Sequence, residues 1–155
     1  MQGKVVILTG NKRAGKTTLA NKLNKEYNFT HINMDQILDA VDYVSDEKNI
    51  PHFIDCYSFL EKLVDFAWQN ARNYGENTVI EYIFKISDVK RLQEKYDIDV
   101  YALYTDTDEE NLRKILKKYS KEFDWPILVG DDDFNRNIKE ILELNKKLKK
   151  ECINS

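Results

Sequence analysis

The sequence predicts an α/β fold built on a parallel sheet. Three observations carry that reading. Short apolar runs rich in β-branched residues alternate with segments of helical apolar spacing. The first run, Lys4–Thr9, feeds through a glycine loop into the first helical segment. No internal repeat, low-complexity tract or domain-separating linker interrupts the series, so residues 1–155 read as a single domain. Strands of this kind are joined by right-handed crossovers.

Each element has its own warrant. Lys4–Thr9 reads K-V-V-I-L-T and suits a strand buried on both faces. Leu19, Ala20, Leu23 and Tyr27 place a helix over Gly15–Tyr27. Phe29–Asn33 reads as a second strand, followed by Met34 and Asp35. Ile37, Leu38, Val41 and Val44 give a short helical pattern, and the polar stretch from Asp42 to Asp55, with Pro51, reads as an irregular connection. Cys56–Tyr74 is the strongest amphipathic segment, with Phe59, Leu60, Leu63, Val64, Ala67, Trp68 and Ala71 on one side and Gly75 as its stop. Thr78–Ile83 is a third strand. Ser87 and Asp88 can open a helix carrying Val89, Leu92 and Tyr96. Ile98–Tyr104 is a fourth strand. Thr105-Asp106-Thr107-Asp108 is rich in N-cap residues, and Leu112, Ile115, Leu116 and Tyr119 follow at helical spacing. Pro126–Val129 reads as a fifth strand. Asp131–Asp133 can cap a last helix that runs to about Glu151, with Ile138, Ile141, Leu142 and Leu148 inward.

Bulk properties narrow the classes. Charged residues make up 33% and hydrophobic residues 42%, a globular composition. A net charge of −3 argues against an extended nucleic-acid surface. Cys56 and Cys152 are not at a metal spacing and read as free thiols. His31 and His52 have no partners at zinc spacing. The sequence shows no signal peptide and no apolar run long enough to span a bilayer, so the expected location is cytoplasmic.

The chemistry-bearing stretch is Gly10-Asn11-Lys12-Arg13-Ala14-Gly15-Lys16-Thr17, which fits G-x-x-x-x-G-K-[ST] between a strand and a helix. This is the phosphate-binding P-loop. Backbone N–H groups over Gly10–Thr18 and the positive end of the helix are expected to wrap a β-phosphate. Lys16 reaches the β/γ-phosphates, and the Thr17 hydroxyl binds Mg²⁺. Ligands of parallel sheets bind at the carboxyl ends of the strands, which places the loop, Asp35, Glu81 and Thr105 on one rim. None of the glycines follows an Asp at D-x-x-G spacing, and no N-K-x-D guanine reader is present, so a GTPase switch is excluded.

The layout resembles the small P-loop kinases: the nucleotide, shikimate and gluconate kinases, with chloramphenicol phosphotransferase, zeta toxins and the kinase domain of polynucleotide kinase. The resemblance covers most of the chain. It rests on G-N-K-R-A-G-K-T-T-L-A, H-I-N-M-D at the end of the second strand, V-I-E-Y-I-F at the end of the third, and T-D-T-D-E-E-N-L-R after the fourth. It implies a five-stranded sheet ordered 2-3-1-4-5 with helices on both faces, ATP as donor and Mg²⁺ as cofactor.

It also implies roles. Asp35 corresponds to an aspartate that orients or deprotonates the acceptor hydroxyl; the plain alternative is a cap on a helix beginning at Gln36. Glu81 corresponds to an acidic residue that holds Mg²⁺ through water or binds substrate; the alternative is an acceptor for a neighbouring backbone or Arg. Arg113 falls where these kinases place the first arginine of a lid helix; the alternative is an exposed cation beside Glu109 and Glu110. Lys117, Lys118 and Lys121 stand where relatives carry a second arginine. Arg13 departs from the glycine that nucleotide kinases often have there, and with Lys12 it makes the loop basic. Phe53, Tyr57 and Tyr82 are candidates to line an acceptor pocket. The expected activity is transfer of the ATP γ-phosphoryl group to a small-molecule hydroxyl or phosphate. The rivals are a nucleoside or nucleotide kinase specifically, a non-catalytic ATP-binding regulatory protein, and a zeta-like toxin.

Overall fold

The computed structural model of the chain describes residues 2–48, 56–120 and 125–153. In order they form β1 (Val5–Gly10), α1 (Lys16–Tyr27), β2 (Phe29–Asn33), α2 (Met34–Lys48), α3 (Cys56–Tyr74), β3 (Asn77–Glu81), α4 (Ile86–Lys95), β4 (Asp99–Leu103), α5 (Glu109–Tyr119), α6 (Trp125–Leu128) and α7 (Asp131–Ile153). The chain falls into two compact units, residues 1–9 with 15–101 and residues 10–14 with 102–155.

In the first unit β3 lies between β1 and β2 and pairs with both in parallel, Ile7 opposite Ile80 and Asn33 opposite Glu81. Ile7, Leu8, Val79 and Ile80 are completely buried. The inward side of α3 is Leu60, Val64, Ala67 and Ala71, spaced by four, three and four residues as one helical stripe requires. That stripe packs with Val5, Ile7 and Ile80, and Met34, Phe84, Val89, Leu92 and Ile98 complete the cluster. Each fully buried aliphatic side chain contributes about 1.5–3 kcal/mol. Trp68 sits at the margin of the stripe, edge-on to Tyr96 and under the Arg72 guanidinium. Gly75 ends α3 at φ 72°, its N–H donating to Ala71 O at 3.2 Å.

The end of β1 is tied to the chain after β3 by one buried hydroxyl. Thr9 Oγ1 donates to Phe84 O and accepts from Phe84 N–H, both at 2.9 Å. Thr9→Val keeps the shape and removes the one hydroxyl that serves both Phe84 N–H and Phe84 O. Two buried backbone groups then go unsatisfied, and urea denaturation is expected to show a loss of about 2–4 kcal/mol.

In the second unit Leu112 and Leu116 of α5 pack on Phe134, Ile138 and Ile141 of α7. Asp108 caps α5, its Oδ1 accepting from Asn111 N–H at 2.8 Å.

The structure corrects the expected elements at several points. The sheet among the described residues has four strands in the order β2-β3-β1-β4, not five in the order 2-3-1-4-5. The run read as a fifth strand, Pro126–Val129, lies mostly in the short helix α6. A four-residue apolar run does not distinguish strand from helix by period. Pro126 decides it: proline has a helix-compatible φ and no N–H to give to a strand ladder. Residues 42–48, read as irregular, continue α2. α4 starts at Ile86 with Lys85 in the cap position and no side-chain cap, so Ser87 and Asp88 lie inside its first turn. The three aspartates 131–133 likewise lie inside the first turn of α7, where their charge is favourable to the helix dipole. No helix among the described residues is long and apolar enough to cross a membrane.

Candidate active site

The site begins where β1 runs into the glycine loop. Gly10 has φ 128°, and a Cβ there would lie 1.9 Å from Leu103 O. Backbone cannot yield as a side chain can, so only glycine fits. Gly10→Ala is expected to lower the thermal midpoint by several degrees or prevent folding, read by a circular-dichroism melt.

Asn11 is 1% exposed and fixes the loop from within. Its N–H donates to Leu103 O at 3.2 Å, and its Oδ1 accepts from Lys12 N–H at 2.7 Å. Its Nδ2 donates to Ile141 O at 2.7 Å and to Asn145 Oδ1 at 3.3 Å. Ala14 N–H returns to Asn11 O at 3.3 Å. Arg13 is exposed and adopts φ 61°. That left-handed conformation explains why glycine suits this place in the loop: an L side chain there is strained by about 1–2 kcal/mol.

In the first unit Gly15, at φ 89°, occupies the N-cap of α1 without a side-chain cap, and the first turn holds no acidic residue. Lys16 follows and is 9% exposed, whereas Thr17 and Thr18 are exposed. Burial holds the Lys16 ammonium below its ordinary value, and the charges of Glu81 and Asp35 pull it partly back up. A buried cation that its neighbours compensate only in part favours an incoming anion.

Glu81 ends β3 and is 2% exposed. Its Oε1 accepts from His31 Nε2 at 3.0 Å and from Asn33 Nδ2 at 2.8 Å. Its Oε2 is buried and has no partner among the described residues. Leaving such an oxygen unsatisfied costs about 1–3 kcal/mol or more. Asp35 is exposed in the first turn of α2. The helix starts at Met34, and Asn33 Oδ1 accepts from Gln36 N–H at 3.3 Å, so Asn33 takes the capping role open to Asp35 in the sequence. An open pocket of about 760 Å³ runs along β2 and α2, lined by His31, Asn33, Gln36, Ile37, Val41 and Val44 among others.

The donor set fits Mg²⁺. This ion takes few protein oxygens, usually one or two carboxylates, and leaves the rest to phosphate and water. Glu81 Oε2, buried with no hydrogen-bond partner among the described residues, is an oxygen of that type, and Thr17, the motif's hydroxyl, lies on an exposed residue.

The zeta toxin family profile matches residues 1–153. The chain belongs to the zeta toxin family. Solved structures agree with that fold. A sugar kinase of a Janibacter species aligns over 92% of this chain and 78% of its own, with a TM-score of 0.57 at 20% identity. A gluconokinase of Sinorhizobium meliloti aligns over 92% of this chain and 74% of its own, with a TM-score of 0.53 at 15% identity. No curated protein sequence matches the chain.

Within this zeta toxin family chain the structure brings Lys16, Asp35 and Glu81 together in the first unit, close enough for both carboxylates to act on the Lys16 ammonium. Arg113 belongs to the second unit. There its Nε and one terminal nitrogen donate to Glu109 Oε1 at 3.1 and 2.6 Å, the other donates to Asn135 Oδ1 at 2.7 Å, and the guanidinium lies 5.8 Å from the Phe134 ring centre. Lys117 and Lys118 are exposed; Lys121, His52 and Phe53 lie outside the described residues. Tyr57 carries the Arg91 guanidinium over its ring, and Tyr82 packs against Phe84. His31 is read from the sequence only against zinc spacing, and Asn33 and Asn145 carry no role there. The one available signal was the period of two in β2, which puts His31 and Asn33 on the same sheet face.

Proposed function

We propose that this chain is a Mg²⁺-dependent kinase that transfers the γ-phosphoryl group of ATP to a hydroxyl or phosphate of a small-molecule acceptor. The observation that carries the reading is Lys16: a buried lysine at the head of a helix without a side-chain cap, within reach of Glu81 at the end of β3 and Asp35 in the first turn of α2. The family and the kinase fold of the solved neighbours support it.

In this reading the loop Gly10–Thr18 cradles the phosphates and Lys16 neutralises charge that develops on the β- and γ-phosphoryl oxygens. Thr17 and Glu81 would hold the metal, which would shield the negative charge of the phosphates. Asp35 takes the proton of the acceptor hydroxyl. The exposed Asp35 and the pocket along α2 begin on neighbouring residues, which supports an acceptor held beside β2 and α2. Arg113 would supply a further cation to the transferring group, and its bonds to Glu109 and Asn135 would have to be exchanged for that purpose.

The test is label transfer from γ-labelled ATP with Mg²⁺ to pooled acceptors: nucleosides, nucleoside monophosphates, sugars, sugar acids and oligonucleotide 5′ ends. A labelled member names the acceptor class. ATP binding with no labelled product in any pool contradicts the proposal and favours a nucleotide-binding regulatory protein.

A further inference from the structure

We infer that His31 and Asn33 are positioning residues that commit one oxygen of Glu81 to the protein and reserve the other for the metal. The inference rests on the kinase reading above and deepens its account of Glu81. Both donors come from β2 and converge on the same oxygen, Oε1, at 3.0 and 2.8 Å. The strand register explains how. Asn33 stands opposite Glu81 and His31 one pleat back on the same face. Two donors on Oε1 and none on Oε2 among the described residues is an asymmetric arrangement. A carboxylate placed only for sheet packing would gain by sharing its donors between both oxygens. Rotating Glu81 to exchange its oxygens would gain nothing, because the same two donors would hold whichever oxygen arrived. The result is one buried oxygen always presented.

The chemistry assigns the hydrogen as well. A carboxylate only accepts, so His31 carries its hydrogen on Nε2. Its side chain is 16% exposed, and that of Glu81 is 3% exposed, so water competes poorly for the bond. Partners that orient a ligating carboxylate typically change metal affinity tenfold or more when removed.

The experiment is a Mn²⁺ titration followed by electron paramagnetic resonance, with ADP present. Wild type, His31→Leu and His31→Gln are compared, and ADP affinity without metal is measured alongside. The expected result is Mn²⁺ affinity weakened about tenfold in His31→Leu. His31→Gln keeps an amide donor and is expected to stay within about threefold of wild type, with metal-free ADP affinity unchanged in both. Should His31→Leu fail to fold, His31→Phe replaces it. That variant keeps a planar ring in β2 and removes the donor to Glu81 Oε1, and it is expected to weaken Mn²⁺ about as much. Wild-type affinity for Mn²⁺ in the surviving variant overturns the inference and leaves the kinase reading standing. Wild-type protein that takes up no Mn²⁺ with ADP overturns both.

Discussion

Lys16→Ala is expected to lower phosphoryl transfer at least a hundredfold, on the order of what losing one charge-stabilising donor costs in other enzymes. The fold should survive it. Lys16 is 9% exposed and burial disfavours its charge, so its removal deletes an unfavourable desolvation along with its contacts. Urea denaturation near neutral pH is expected to give a stability within about 1 kcal/mol of wild type. The pH dependence provides a second check. The folded-state value of Lys16 lies below the ordinary 10.5. In the window between the two, the folded protein has released a proton that the unfolded chain still holds. Stability from this group is therefore fully present above the unfolded value and is lost as pH falls through the folded one. The stability of wild type relative to Lys16→Ala should rise as pH climbs through that alkaline window. A difference independent of pH would mean that Lys16 is not buried as described.

Asp35→Asn is the second large effect. Removing a general base typically costs about 10²–10⁴ in turnover. ATP affinity should stay within about twofold, because Asp35 faces the acceptor in this reading and does not hold the donor. Helix α2 should be unaffected, since Asn33 caps it. Steady-state kinetics with a good acceptor separate the two quantities. A variant that keeps full turnover would leave Asp35 as an exposed helix charge with no part in the reaction.

Much of the framework was legible because it is local. The strand, glycine loop and helix from Val5 to Tyr27 follow from period and motif alone, and the stripe on α3 follows from its spacing. Local signals failed where two local rules competed. The run at Pro126 is apolar and short enough for a strand, and only the missing proline N–H tips it to helix. Residues 42–48 are polar enough for a loop, yet they remain helical after the apolar stripe thins.

The candidate residues can be named from the sequence, but their bonds cannot. The motif named Lys16, and strand ends named Asp35 and Glu81. That Glu81 is held from one side by His31 and Asn33 depends on the register of two strands nearly fifty residues apart in sequence. The bonds from Asn11 to Ile141 and Asn145 span still more of the chain. No pattern within either segment announces the other. The strain at Arg13 was hinted at by a departure from glycine, but its physical cause needed the backbone angle.

Kinase activity is tested most simply by measuring ADP and labelled acceptor together from γ-labelled ATP in one reaction, with Lys16→Ala in parallel. Equal amounts of ADP and labelled product are expected in wild type, and neither above background in the variant. ADP released as free phosphate is made, with no labelled acceptor in any pool, would contradict the kinase reading, as would product that persists without Lys16.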